Sequence, residues 1–385
     1  MQLIIIFKIN SMKFLVSIVF IILFFTASQL QAQVSADKVV GKKNMSIADS
    51  IKNSDYPYIL PIWGQKVTNK GFELPYSAGL GINYLWQQSD LIIENLQVGF
   101  NNGPMYDLDN IVRFDNAQST ASAINIRPDI WVLPFLNVYG IIAKSTPSTD
   151  VGYGIYIPDS SGNYNQILST QTTANFDATS FGFGITPTIG VGGGWIALDM
   201  NFTWSDIDAL DKPAFAFVFG PRFGKTFRFK KPEQNVAIWV GGFRLNLNSG
   251  TNGSLNLSDV IDSENIGANL DDAYMKVEDS QQQIDQWWNG LSELEQNNPL
   301  NEAKYDRANQ SLETAGQLLD GASSAVNNLT TSTIQYSLDK RPKDKWNFIV
   351  GSQYQINKHW MIRGEFGFLG SRQQFIGGLQ YRFGL

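Results

Sequence analysis

The sequence predicts an all-β transmembrane barrel of about 12 antiparallel strands, with an α-helical hairpin inserted in one long loop. Three observations carry this expectation. An apolar run near the N-terminus marks the chain for export, long stretches alternate apolar with small or polar residues, and residues 248–344 replace that alternation with helical spacing. The composition agrees: 43% of the 385 residues are hydrophobic, but a mean hydropathy of −0.15 is too polar for a bundle of membrane helices. The absence of Cys excludes a disulfide scaffold, thiolate zinc sites, a cysteine nucleophile and a lipid-modified N-terminal Cys. A single His removes most histidine metal constellations, and no metal or cofactor site is expected. The net charge of −6 argues against a nucleic-acid partner, which would want a basic stripe.

Residues 1–32 read as a secretory signal. Lys13 precedes a largely apolar run of 12 residues, Phe14–Phe25, followed by Thr26 to the small residue Ala32, so cleavage is expected before Gln33. Met12 is a natural start, with Met1–Ser11 an upstream extension. The run falls short of the roughly 20 residues a spanning helix needs. No later stretch is apolar over about 18 residues, so any membrane must be crossed by strands. Past Ala32 the chain carries 27 basic and 35 acidic residues.

The strands follow from a period of two. Tyr76, Ala78, Leu80, Ile82, Tyr84 and Trp86 alternate with Ser77, Gly79, Gly81, Asn83 and Leu85; Ile196, Leu198, Met200, Phe202 and Trp204 do so with Ala197, Asp199, Asn201 and Thr203. Runs of 10 to 12 residues suit a tilted bilayer crossing of about 9–11 residues, and the small, polar second face suits a lumen. Trp86, Trp204, Trp346 and Trp360, at strand ends, fit interfacial girdles. Strands are expected at 57–66, 76–86, 91–101, 120–133, 135–145, 174–190, 195–206, 213–226 and 235–247, then at 345–356, 359–369 and 372–384. A periplasmic segment, 33–56, precedes them. With the N-terminus periplasmic, Gln87–Asp90, Pro134, Val191–Gly194, Phe227–Gln234 and Asn357–Lys358 become short periplasmic turns, and 102–119, 146–173 and 248–344 face outward. Stretches 151–157 and 165–171 could add a hairpin beyond the membrane.

The closing residues Leu379-Gln-Tyr-Arg-Phe-Gly-Leu385 resemble the C-terminal strand of Gram-negative outer-membrane barrels. Arg127–Gly140 and Arg363–Arg372 are similar to segments of uncharacterised proteins of that kind. The resemblance spans roughly residues 76–385 and implies an outer-membrane location, lipid contact, and recognition of the last strand by barrel assembly machinery. It implies no catalytic or ligand residues.

Within 248–344, Leu270, Tyr274, Val277, Ile284, Trp288 and Leu291 fall at three- and four-residue steps, and Leu300, Ala303, Ala308, Leu312, Ala315, Leu319, Ala322 and Val326 make a second stripe. Asn298-Pro299 reads as N-cap and first helical residue, and Ser292-Glu-Leu-Glu295 as a capping box. Ten acidic residues lie between Asp259 and Glu295 against one basic; the segment could cap the pore, plug it or bind cations near Asp271 and Asp272, but a solvated helical face is preferred. Trp287 and Trp288 are adjacent, so at least one indole is expected to rest on the barrel mouth.

Continuing the alternation inward places Arg127, Asp129, Asp199, Arg222, Arg244, Arg363, Glu365 and Arg382 on the lumen side. Two readings stand: an arginine-lined path that filters solutes, or salt bridges that fill a narrow lumen. Trp131 and Tyr139 could line a route for hydrophobic ligands or simply pack. The resulting order is a pore or transporter for small polar or amphipathic solutes of unknown identity, with the helical loop restricting its mouth, then a surface-exposed interaction or structural barrel without transport, then a hydrolase. The last would depend on His359, which sits beside the Asn357–Lys358 turn. N-terminal sequencing of the exported protein is expected to start at Gln33; retention of Phe14–Phe25 would show an anchor instead.

Overall fold

A computed structural model describes Asp49 and residues 51–207, 210, 212–231, 233–247, 250–260 and 266–385. The signal segment 1–32 and the part of 33–56 before Asp49 lie outside these residues. The described strands are β1 (Ala78–Phe100), β2 (Tyr106–Asp107), β3 (Val112–Leu133), β4 (Leu136–Pro158), β5 (Tyr164–Asn175), β6 (Ala178–Val191) and β7 (Gly194–Ile207). They continue with β8 (Ala214–Arg228), β9 (Asn235–Leu247), β10 (Gly250–Asn256), β11 (Thr333–Pro342), β12 (Trp346–Gln355), β13 (Trp360–Phe368) and β14 (Arg372–Phe383). Ten of them close a ring of antiparallel neighbours in the order β1-β3-β4-β6-β7-β8-β9-β12-β13-β14, and β14 returns to β1 from Ala78↔Phe383 to Ser89↔Arg372. Closure satisfies every strand edge, the condition for crossing lipid.

The outer face is the apolar one. Ile82, Ile124, Ile142, Phe181, Phe223 and Ile362 are each at least half exposed, which would be untenable in water and is expected against acyl chains. Aromatic bands flank this zone. Phe183, Phe202 and Phe217 stack in series at 5.1 and 4.9 Å, with Trp204 on Phe215, toward one end. Trp360, Tyr381 and His359 cluster at the other. The second end carries the short turns and both ends of the described chain, and so is periplasmic.

The ring holds ten strands where the sequence reading counted twelve, and two corrections account for the difference. Residues 57–66 are not a strand. Pro57 and Pro61 have no N–H to give a ladder; the chain bends there and enters helix α1 (Gly64–Thr68). Its amides serve the periplasmic rim: Ile59 and Leu60 donate to the Leu385 carbonyl at 2.8 and 3.2 Å, and Ile62 to Val132 at 2.9 Å. Nor do Gln87–Asp90 form a turn. β1 runs straight through them, with Gln88 opposite Thr120 and Gln373. These polar residues mark where the strand leaves the bilayer, and Gln88 donates to Gln118 at 2.6 Å. Merging two strands and deleting one leaves the sidedness of every later strand unchanged.

Beyond that exit the sheet becomes a scaffold for a second core. The upper half of β1 pairs with β11 and β2, β11 pairs with β10, and β4 continues outward to pair with β5. After the short helix α2 (Leu257–Val260) come α3 (Ile266–Asn289), α4 (Glu293–Gln296) and α5 (Pro299–Val326). The Asn298 side chain accepts from the Leu300 amide, and the Glu295 carboxylate from the Ser292 amide. α3 and α5 turn their apolar stripes inward. Leu270, Ala273, Ile284, Leu312, Ala315 and Leu319 are buried with Val98 of β1, Ile155 and Ile157 of β4, and Ile167 of β5. The helices thus cover the concave face of the extended sheet. Leu312→Ala is expected to cost this module about 2–5 kcal/mol, read as faster proteolysis of residues 250–340. The heat-modifiable gel mobility of the barrel should persist; its loss would show that the barrel depends on the module.

Candidate functional site

Seven of the eight predicted lumen ions face inward: five are linked in one belt in the lumen, and Asp129 and Arg382 pair separately near the periplasmic rim. The seven come from β3 (Arg127, Asp129), β7 (Asp199), β8 (Arg222), β13 (Arg363, Glu365) and β14 (Arg382). Arg222 is the centre. Its Nη1 lies 2.9 Å from Asp199, and its Nε and Nη2 donate to both oxygens of Glu365 at 3.0 and 3.1 Å. The Glu365 carboxylate also accepts from Trp239 Nε1 at 2.8 Å and from Arg363 Nη2 at 3.2 Å. Asp199 accepts from the Tyr139 hydroxyl at 2.5 Å and from Thr186 at 2.6 Å, with Arg127 3.9 Å away. A second pair, Arg382 with Asp129 at 3.2 Å, is supported by Asn137 and Gln380, which both donate to Asp129.

Glycine makes room for this belt. Tyr139 stands directly across from Gly184, Trp195 from Gly224, and Trp239 from Gly351. A Cβ on any of these glycines would lie 2.2–2.3 Å from the opposing ring, so each inward aromatic lies flat over a residue without a side chain. Gly79 makes the same space for Asp129. Cross-strand glycine opposite an inward aromatic is a sequence signal that alternation alone does not use. It would have singled out Trp195 and Trp239, and Tyr139 as part of the belt.

The eighth candidate, Arg244, is corrected. Ile238 and Val240 face outward, and an unbroken period of two carries Arg244 to the same face, across from the outward residues Phe219 and Trp346. Trp287 and Trp288, the mouth candidates, lie in the helical hairpin. Trp288 stacks on Tyr305 at 4.4 Å, and Trp287 lies under the Lys304 ammonium at 4.3 Å. Lys304 in turn donates to Ser160 in the β4–β5 turn, the tip farthest from the membrane. Both indoles thus have partners within the hairpin. An inward arginine that the sequence reading missed, Arg372, is 1% exposed and lies over the Phe243 ring.

The belt divides the lumen. On its extracellular side Phe243, Asn347, Ile349, Arg372 and Gln374 are all buried. On its periplasmic side lies a cavity of about 620 Å³ that touches Arg127, Asp199, Arg222 and Arg363 above and Tyr56, Tyr58, Glu73 and Tyr76 below. The pre-barrel segment therefore forms the cavity floor, held by the Glu73–Arg228 pair at 3.4 Å. Within it the Tyr56 phenol is pushed up to about 12 by burial and by Tyr58. His359 is at the same end, stacked between Tyr76 and Tyr381, with its Nδ1–H donating to the Arg382 carbonyl at 2.8 Å.

No protein-family model and no curated protein matches the chain. Among solved structures, the β domain of the Bordetella autotransporter BrkA is similar, with 8% identity over 80% of this chain and 100% of that one and a TM-score of 0.34. The translocator domain of the autotransporter NalP from Neisseria meningitidis shows 8% identity, covering 89% and 94%, with a TM-score of 0.29. An outer membrane channel from Pseudomonas putida shows 8% identity, covering 80% and 96%, with a TM-score of 0.25. The barrel itself is defined by strand register.

Removing the central arginine would strand two buried carboxylates. Arg222→Met is expected to destabilise the barrel by about 3–5 kcal/mol in urea titrations. Adding Asp199→Asn and Glu365→Gln should recover at least half of that loss; no recovery would mean that Arg222 acts through packing rather than charge.

Proposed function

Because this chain is an outer-membrane β-barrel of the Gram-negative type, we propose that its barrel anchors the helix-and-sheet module at the cell surface, where the module is the interacting part. One observation carries this reading: the Asp199–Arg222–Glu365 tie crosses the lumen, and buried side chains fill the space beyond it. A narrow barrel near the eight-strand limit can be filled by its own side chains, unlike porins of 16–18 strands. The module is built to be presented. It has its own apolar core and rests on strands that project past the bilayer.

A pore for small polar or amphipathic solutes is the second reading, supported by the periplasmic cavity and its arginines. It requires the belt to part. The last strand, β14, is proposed as the segment the assembly machinery reads, since Phe375, Leu379, Tyr381 and Phe383 point outward in series. We propose no hydrolytic role. His359, the sole imidazole in the sequence, has one nitrogen committed to a backbone carbonyl and its ring between two tyrosines.

Planar-bilayer recording tests the choice. The full-length protein is expected to show no conductance steps, and replacing 256–330 by a Gly/Ser linker should leave the trace unchanged, because in this reading the belt, and not the hairpin, closes the lumen. Steady single-channel steps from the intact protein would overturn the anchor reading in favour of the pore.

A further inference from the structure

We infer that the cavity beneath the belt is a binding site for a small organic carboxylate with a flat apolar body, entering from the periplasmic side. This does not rest on the anchor reading, since a closed barrel can still hold a ligand in its lower half.

Charge is the first argument. The belt and the rim pair together carry four arginines, Arg127, Arg222, Arg363 and Arg382, against three acids, Asp129, Asp199 and Glu365. Among these groups the surplus is one positive charge, while the cavity's periplasmic end adds Asp55, Glu73 and Glu233 against Arg228 and Lys358; the location of the upper surplus is visible. Side chains of Arg222, Arg382 and the three acids are at most 11% exposed, whereas Arg127 and Arg363 are 24% and 27% exposed and line the cavity. Neither is fully satisfied, and unlike Arg382, whose buried Nη2 also lacks a hydrogen bond, both are open to the cavity. Arg127 has its nearest carboxylate oxygen at 3.9 Å, beyond hydrogen-bond reach, and is held in place over the Tyr139 ring. Arg363 gives one bond to Glu365, and its buried Nε has no acceptor. A ligand carboxylate would give these two cavity-lining guanidinium groups acceptor oxygens that the wall does not supply.

Shape supplies the rest of the ligand. Trp195 and Trp239 lie 6.1 Å apart and wall the cavity, and Trp131 joins them with a buried indole N–H that has no acceptor. A volume of about 620 Å³ suits a small molecule with room for water. A guanidinium fork matches a planar carboxylate. A phosphate monoester, at about −1.5 to −2 near neutral pH, would overcorrect a surplus of one.

The test uses the full chain refolded in a non-ionic detergent, with benzoate as probe and tryptophan fluorescence as readout. Saturable quenching with a dissociation constant below about 1 mM is expected. Benzyl alcohol, which keeps the ring and lacks the charge, and inorganic phosphate should each bind at least about tenfold more weakly. Arg363→Gln should weaken benzoate by at least about tenfold while heat-modifiable mobility is retained. Quenching that does not saturate, benzyl alcohol or phosphate matching benzoate, or a folded Arg363→Gln protein with unchanged affinity would each overturn the proposal. If that variant does not fold, the comparison of probes on the unaltered protein decides alone.

Discussion

A ring of ten strands encloses a space that side chains can nearly fill, and whatever is placed there leaves bulk water. Here the filling is ionic, and an ion in that position must find its counter-charge within the wall. Arg222 does so in two directions at once, to Asp199 on the neighbouring strand and to Glu365 three strands round the ring. The rest of the waist follows from that bond. Trp239 and Arg363 converge on Glu365, Tyr139 and Thr186 on Asp199, and glycines opposite the large rings let the walls approach closely. A buried ion pair is poor evidence of stability when compared with apolar packing, but it is specific. The partners Asp199, Arg222 and Glu365 can all be satisfied only when β7, β8 and β13 hold one register.

The legible part of the fold was the part governed by a period of two. Lipid fixes one face of each strand as apolar, so Leu80-Gly-Ile-Asn-Tyr84 and its counterparts announce themselves, and seven of eight lumen ions followed by counting. Alternation fails where the lipid stops. Gln87-Gln-Ser-Asp90 is as polar as a turn, but its amides are spent on neighbouring strands, and nothing local distinguishes the two uses. Arg244 was misplaced against the alternation itself, since Val240 already shows which face is outside. In 57–66 it is Pro57 and Pro61 that rule out a ladder, and the even spacing of neighbouring apolar residues does not register them. Of the belt's connections only Arg363 with Glu365, two apart on one strand face, is local; the rest depend on which strands face each other across a closed ring.

The helical insertion illustrates a different limit. Periodicity located both stripes and their caps, but burial is a question of partners, and the sequence offers no account of what lies opposite. The partner for both stripes is the outward extension of strands β1, β4 and β5. The protein thus carries two interiors of opposite character. One is wet, charged and enclosed by lipid; the other is apolar and stands in water.

The chain's last residue has a consequence for the order in which the molecule comes together. Leu385 offers its carbonyl to Ile59 and Leu60, and its own amide binds the Ser77 hydroxyl. Until β14 has zipped against β1, that acceptor is not at the rim, and the segment before the barrel has nowhere to dock. The floor of the lumen can therefore be laid only after the wall is complete. A truncated or unclosed chain is left with a loose leader, which makes the docked leader a physical record of finished assembly.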